Sequence, residues 1–201
     1  LKSNLHEIFG KEELANIMDK MKEDNPKLIG ELVPEILPLG TVLKVLKNLL
    51  RENVSIRDMR SILECLSDVG TKVKDPVPLN EAVRQSLFRT ITNSVKTDNN
   101  DIPVFTLDRQ IEELIAEGLI QTDEGVQLSL DPKITQGLLG SINEKIEEAT
   151  ESGERMIVLC SPVVRSHFKR LTEKFIPNLI VISHSELTPE VSVRSLGTVR
   201  L

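Results

Sequence analysis

The sequence predicts a mixed α/β protein: an N-terminal all-helical subdomain over residues 1–90, then a small α/β subdomain over residues 91–201 with a partly parallel sheet. Three observations predict it. Apolar residues recur at helical spacing throughout the first half. The polar run Lys96-Thr97-Asp98-Asn99-Asn100-Asp101 then marks a loop, and short apolar strands alternate with helices after it. Strand, helix, strand at that spacing is the pattern of a parallel pair joined by a crossover helix.

In order along the chain, Leu14, Ile17, Met18 and Met21 make the first helical stripe, which Asn25-Pro26 stops. Pro34 and Pro38 bracket a Leu/Ile segment that has room for one turn or an irregular stretch. A strongly apolar helical face follows in Val42, Leu43, Leu46, Leu49 and Leu50. Ser55 is the expected N-cap of the next helix, with Asp58 standing in for the Glu of a capping box. That helix carries Ile56, Met59, Ile62, Leu63, Leu66 and Val69 and stops at Gly70. Asp75-Pro76-Val77-Pro78 reads as a connector before a helix through Ala82, Val83, Leu87 and Ile91.

Beyond the loop, residues 102–107 read as a strand and 111–115 as helix. Gly118 and Gly125 flank a turn, and residues 126–130 read as a second strand. Asp131-Pro132 opens a helix with Ile134, Leu138, Ile142 and Ile146 on one face. Residues 156–160 form a compact apolar strand, and Ser161-Pro162 caps a helix burying Val164, Phe168, Leu171 and Phe175. Residues 179–182 are another apolar strand, and 191–199 alternate weakly.

Composition excludes several functions. A net charge of −6 leaves no overall basic field for nucleic acid or anionic lipid. With five Phe and neither Trp nor Tyr, platforms for stacking bases are scarce. No apolar run reaches the roughly 18 residues that span a membrane, so the segment reads as soluble. Its first residue is Leu1, which reads as the start of a fragment. Cys65 and Cys160 sit in apolar runs and read as small hydrophobes in a reducing compartment.

Few residues are arranged for chemistry. Cys160-Ser161 stands at a strand-to-helix turn, where a helix N-terminus lowers a thiol pKa. A hydrolase using Cys160 or Ser161 is the alternative reading from another class. Only four residues separate Cys160 from Arg165, one short of a phosphatase loop, and no G-x-S-x-G elbow surrounds Ser161. His6, His167 and His184 have no metal-ligand spacing. Adjacent pairs such as Glu112-Glu113 and Glu147-Glu148 diverge on a helix and read as solvated faces. Gly137 and Gly140 lack the Lys-Ser/Thr of a phosphate loop and are read as sites of close packing. No catalytic, cofactor or metal residue is assigned.

Two charged sets remain as candidate contacts. Arg165, Lys169, Arg170 and Lys174 share one helix, either as a solvated face or as a surface for an acidic partner. Arg51, Glu52, Arg57, Asp58 and Arg60 surround a tight turn between two helices. They cap and pair locally there, or form one edge of a repeating assembly.

The strings Asn25-Pro-Lys-Leu-Ile-Gly-Glu-Leu-Val-Pro34 and Val45-Leu-Lys-Asn-Leu-Leu-Arg-Glu-Asn-Val-Ser-Ile-Arg-Asp-Met-Arg60 closely resemble the FlhA/LcrD family of type III secretion export gates. Asp75-Pro76, Glu81-Ala-Val-Arg-Gln85, Thr106-Leu-Asp108 and Leu196-Gly-Thr-Val199 extend the likeness. The Ser-Ile-Arg-Asp-Met-Arg string favours the flagellar branch over the virulence branch. The resemblance implies a non-catalytic C-terminal cytoplasmic part, its third and fourth subdomains, in a parent protein embedded in the bacterial inner membrane. It also implies a ring of nine copies that receives flagellar export chaperones with their substrates and meets components of the ATPase complex. The family's chaperone-docking groove has no matching positions in this chain.

Overall fold

The computed structural model describes residues 5–122 and 125–201. The chain divides into two compact units, Leu1–Ile91 and Thr92–Leu201.

The first unit is helical. It contains α1 (Leu5–Ile8), α2 (Lys11–Asp24), α3 (Pro26–Glu31), α4 (Leu39–Arg51), α5 (Met59–Gly70) and α6 (Pro76–Ser86); α7 (Phe88–Val95) then carries the chain across the division. Between α3 and α4, residues Leu32–Ile36 form a wide turn in which Val33 is extended and the Val33–Pro34 peptide is cis. Pro34 leaves that segment no regular helix. The α4 stripe Val42, Val45, Leu46 and Leu49 is fully buried, as are Ile62, Leu63 and Leu66 of α5. α6 packs on both helices and adds Leu79 and Val83. Each such side chain contributes about 1.5–3 kcal/mol by leaving water. Gly70 is required by this packing: a Cβ there would stand 2.9 Å from both Ile36 Cγ2 and Leu37 Cγ.

Two starts differ from the sequence reading. Asp58, not Ser55, is the N-cap of α5, accepting from Ser61 N at 3.2 Å; the Ser55 hydroxyl accepts from Arg57 N. Residues 76–78 belong to α6, because Asp75 caps Val77 N at 2.9 Å and Pro76 suits the first helical position.

The second unit is a parallel sheet with helices. Its elements are β1 (Asp101–Leu107), α8 (Arg109–Glu117), β2 (Leu119–Thr122), β3 (Gly125–Leu128), α9 (Pro132–Glu151), β4 (Ile157–Cys160), α10 (Pro162–Thr172), β5 (Ile180–Ser183) and β6 (Ser192–Val199). The sheet order is β5-β4-β1-β6, with every pair parallel. β2 and β3 form a separate antiparallel hairpin. Leu119–Thr122 is therefore a strand and not part of a turn, and its connection at 123–124 lies outside the described residues. Phe105, Leu107, Val158, Cys160, Val181 and Val199 line one sheet face and close a core with Ile111, Leu138, Ile142 and Phe168 from α8, α9 and α10. Phe175 lies beyond α10 and is 62% exposed, because the helix ends at Thr172 before that residue can turn inward.

Candidate interaction surface

The α4–α5 junction is built by backbone capping. Asn53 adopts the left-handed conformation, φ +58°, which asparagine tolerates better than most residues. Val54 N then reaches back to Leu49 O at 2.8 Å and Asn53 N to Leu50 O at 3.0 Å, satisfying carbonyls at the end of α4. Val54 is buried as a result, while Arg51, Arg57, Asp58 and Arg60 stay exposed.

The exposed charges have different attachments. Asp58 is committed to its cap. Arg60 Nε meets Glu64 Oε1 at 2.8 Å, and that hydrogen bond holds the guanidinium pKa above its ordinary value. Glu52 turns inward to Arg84 Nη1 at 3.1 Å, and Arg84 is 2% exposed. Sequence spacing gives no sign of this pair, since its members are 32 positions apart. It ties the turn to α6.

Beside the junction lies a cavity of about 680 Å³, within the range of ligand sites. Phe9, Leu50, Val54 and Ile56 supply apolar walls, with Arg57 and Glu13 at polar positions. Ile8, on the same cavity, is 72% exposed. Hydrogen bonds from backbone N–H groups, its own and that of Gly10, hold the Glu13 carboxyl below its ordinary pKa. The surface combines an apolar recess with an exposed cation, which suits recognition of another chain. Neither Ile8 nor Phe9 belongs to a periodic stripe, so the sequence does not mark them.

The α10 basic set divides otherwise than its spacing implies. Arg165 and Lys169 are 1% and 5% exposed, so they are not part of a solvated or partner-facing surface. Arg165 pairs with Glu186 and donates to Val181 O; Lys169 Nζ donates to Leu179 O at 2.7 Å and Pro177 O at 3.1 Å. Both fasten α10 to the segment around β5. Arg170 and Lys174 remain exposed.

At the Cys160-Ser161 turn, Cys160 is 1% exposed, with its thiol toward Ile182 O at 3.7 Å. The Ser161 side chain makes no cap bond. Glu112 reaches across from α8 instead and accepts from Ser161 N at 2.7 Å. The helix terminus that would receive a substrate anion already holds a carboxylate, so Glu112 is not the solvated residue expected of it. Among the described residues no group of three or more His, Cys, Asp or Glu is placed to hold a metal, and no helix is long and apolar enough to cross a membrane.

A helical unit followed by a parallel four-stranded α/β unit matches the fold of export-gate C-terminal domains of type III secretion. The FHIPEP family model matches residues 1–192, and the chain belongs to that family. It is 38% identical over 199 residues to the flagellar biosynthesis protein FlhA of Bacillus subtilis, covering 99% of this chain and 29% of that protein. It is 33% identical over 201 residues to the low calcium response locus protein D of Yersinia pestis, covering 100% and 28%. The chain thus spans less than a third of these relatives. Among solved structures, the Chlamydia pneumoniae CdsV protein superposes with a TM-score of 0.92 at 32% identity, covering 99% of this chain and 57% of that one. The nonameric EscV cytosolic domain from the type III secretion system gives 0.84 at 30% identity, covering 98% and 58%.

Proposed function

We propose that this chain is the C-terminal cytoplasmic part of a flagellar type III export gate, on the cytoplasmic face of the bacterial inner membrane. It works by binding rather than by catalysis. The observation that carries the reading is the 38% identity to a flagellar FlhA along 99% of the chain. On this reading residues 1–90 and 91–201 correspond to the gate's third and fourth cytoplasmic subdomains. Copies assemble into a ring, as the nonameric EscV domain does, and the ring receives chaperone–substrate complexes.

The junction carrying Arg51, Arg57, Asp58 and Arg60 is the surface we assign to contact between copies. A ring interface is heterologous, and each small contact recurs at every joint around the circle. An Arg57→Ala, Arg60→Ala change in the full-length gate tests the assignment. Reduced ring formation and secretion, with unchanged melting of the 201-residue chain, is the expected result. Unchanged secretion removes the role.

A virulence-type gate is the second reading, favoured by the 33% identity to the Yersinia protein. Complementation separates the two. A hybrid gate carrying this segment restores motility in an flhA-deficient strain on the first reading, and injectisome secretion in an lcrD-deficient strain on the second.

A further inference from the structure

The two ends of the sheet are finished differently. Beside β6, Gly137 and Gly140 of α9 line an open cavity of about 730 Å³ with Gly197 and Thr198. A Cβ on Gly140 would meet nothing within 4 Å, so that glycine does not serve the close packing read from its helical setting. At the other end, β5 has β4 as its one neighbour in the sheet. Alternate residues of a strand direct their N–H and C=O groups to opposite edges. The Ile182 carbonyl accepts from the Cys160 thiol of β4 at 3.7 Å. Ile180 and Ile182 therefore address β4, and Leu179, Val181 and Ser183 face the outer edge.

Along that edge every second residue is met by a buried charged side chain. Lys169 Nζ donates to Pro177 O at 3.1 Å and to Leu179 O at 2.7 Å, and Arg165 Nη1 donates to Val181 O at 3.3 Å. Glu186 Oε2 then accepts from Ser183 N at 3.1 Å. The spacing of the two elements makes this possible. Residues four apart on a helix are separated by about 6 Å along its axis. Successive outward carbonyls of a strand lie about 6.6 Å apart, so Arg165 and Lys169 fall in register with Val181 and Leu179.

Satisfying the carbonyls does not by itself call for this arrangement. On an edge open to water they would be hydrated, whereas burying a guanidinium and an ammonium is costly. What the three side chains add is closure: a bare parallel edge is a template for another strand, and every copy of the chain carries the same one.

We propose that Lys169, Arg165 and Glu186 are an edge seal, which occupies the outward backbone groups of β5 and keeps the sheet from pairing there with a second copy of the chain. The seal is independent of the α4–α5 junction and of the ring. Copies can then stand side by side without joining their sheets through β5.

The test opens the seal at Lys169 in the 201-residue chain and reads self-association by sedimentation at a series of concentrations. Lys169→Ala removes the ammonium with its stem. Lys169→Met removes the charge but nearly conserves volume, and so retains the fold. Ile142→Ala, in the buried core and with the edge bonds intact, is the control for lost stability. All chains are compared at the same interval below their own melting midpoints. Both Lys169 variants should raise the self-association constant at least about tenfold over the parent chain, and the control should not. In the associated form, the added protection from amide hydrogen exchange should fall on residues 179–183. Lys169→Met that associates no more than the parent chain overturns the proposal. So does equal association of Ile142→Ala, which would trace the effect to lost stability, and so does added protection that falls outside β5.

Discussion

Arg165 and Glu186 approach to 3.6 Å with 1% of each side chain exposed, an ion pair sealed between α10 and the turn after β5. Glu186 also accepts from Ser183 N at 3.1 Å, and its carbonyl accepts from the Thr92 hydroxyl, so the pair anchors several backbone segments. Removing one member of a buried pair strands the other charge. Arg165→Ala or Glu186→Ala should each cost about 3–5 kcal/mol in denaturant unfolding. Arg170→Ala, on the same helix but exposed, should change stability by less than about 0.5 kcal/mol. Equal losses at the two arginines would refute the division of that helix into buried and free cations.

The junction arginines should behave as surface residues in the isolated chain. Arg57→Ala with Arg60→Ala should move the melting midpoint by no more than about 3 °C. The Arg60–Glu64 ion pair that this variant removes lies in water, with 67% and 49% of the two side chains exposed. A larger drop would assign these arginines to the fold and not to contact between copies.

Two glycines should respond in opposite senses to the same substitution. Gly70→Ala drives a methyl group to 2.9 Å from the Ile36 and Leu37 side chains and should destabilise by about 1–3 kcal/mol. Gly140→Ala meets no neighbour and should stabilise by about 0.5–1 kcal/mol, since glycine weakens a helix interior. Thermal melting of both variants checks the contrast.

Acid should loosen the start of β1. Asp101 accepts from the Thr97 hydroxyl and from Arg194 Nε, and these bonds hold its carboxyl below the usual carboxylate range. A depressed folded-state pKa contributes stability that is complete above the unfolded value and is lost as pH falls through the folded one. Asp101→Asn should therefore lower stability at neutral pH, and its difference from the parent chain should vanish as pH drops below the ordinary carboxylate range. Unfolding curves at a series of pH values measure this; a pH-independent difference would refute it.

How much is legible in the sequence depends on whether the cause is local. The α4 and α5 stripes, the strand at Ile102 and Leu107 and the Asp131-Pro132 helix start are set by spacing and caps within a few residues. Phe175 fits the α10 stripe yet lies outside the core, because periodicity does not say where a helix stops. Arg165 and Lys169 look like surface charges in sequence because their carboxylate and carbonyl partners come from elements more than a helix turn away. The Glu52–Arg84 tie and the two cavities are invisible there for the same reason. At the Cys160-Ser161 turn the local pattern points to an anion site, and only the fold brings Glu112 to fill it.

The pairing of β1 with β6 also sets an order of events during synthesis. Asp101 lies opposite Ser192, so β1 leaves the ribosome about ninety residues before its neighbour exists. The first helical unit rests on contacts within its own sequence and can fold while the second is still being made. β1 waits with both edges unpaired until β4 is made, and with one edge unpaired from then until β6 is made. The sheet is therefore completed late, and a nascent chain stalled before residue 192 presents β1 with one of its flanks open to the wrong strand.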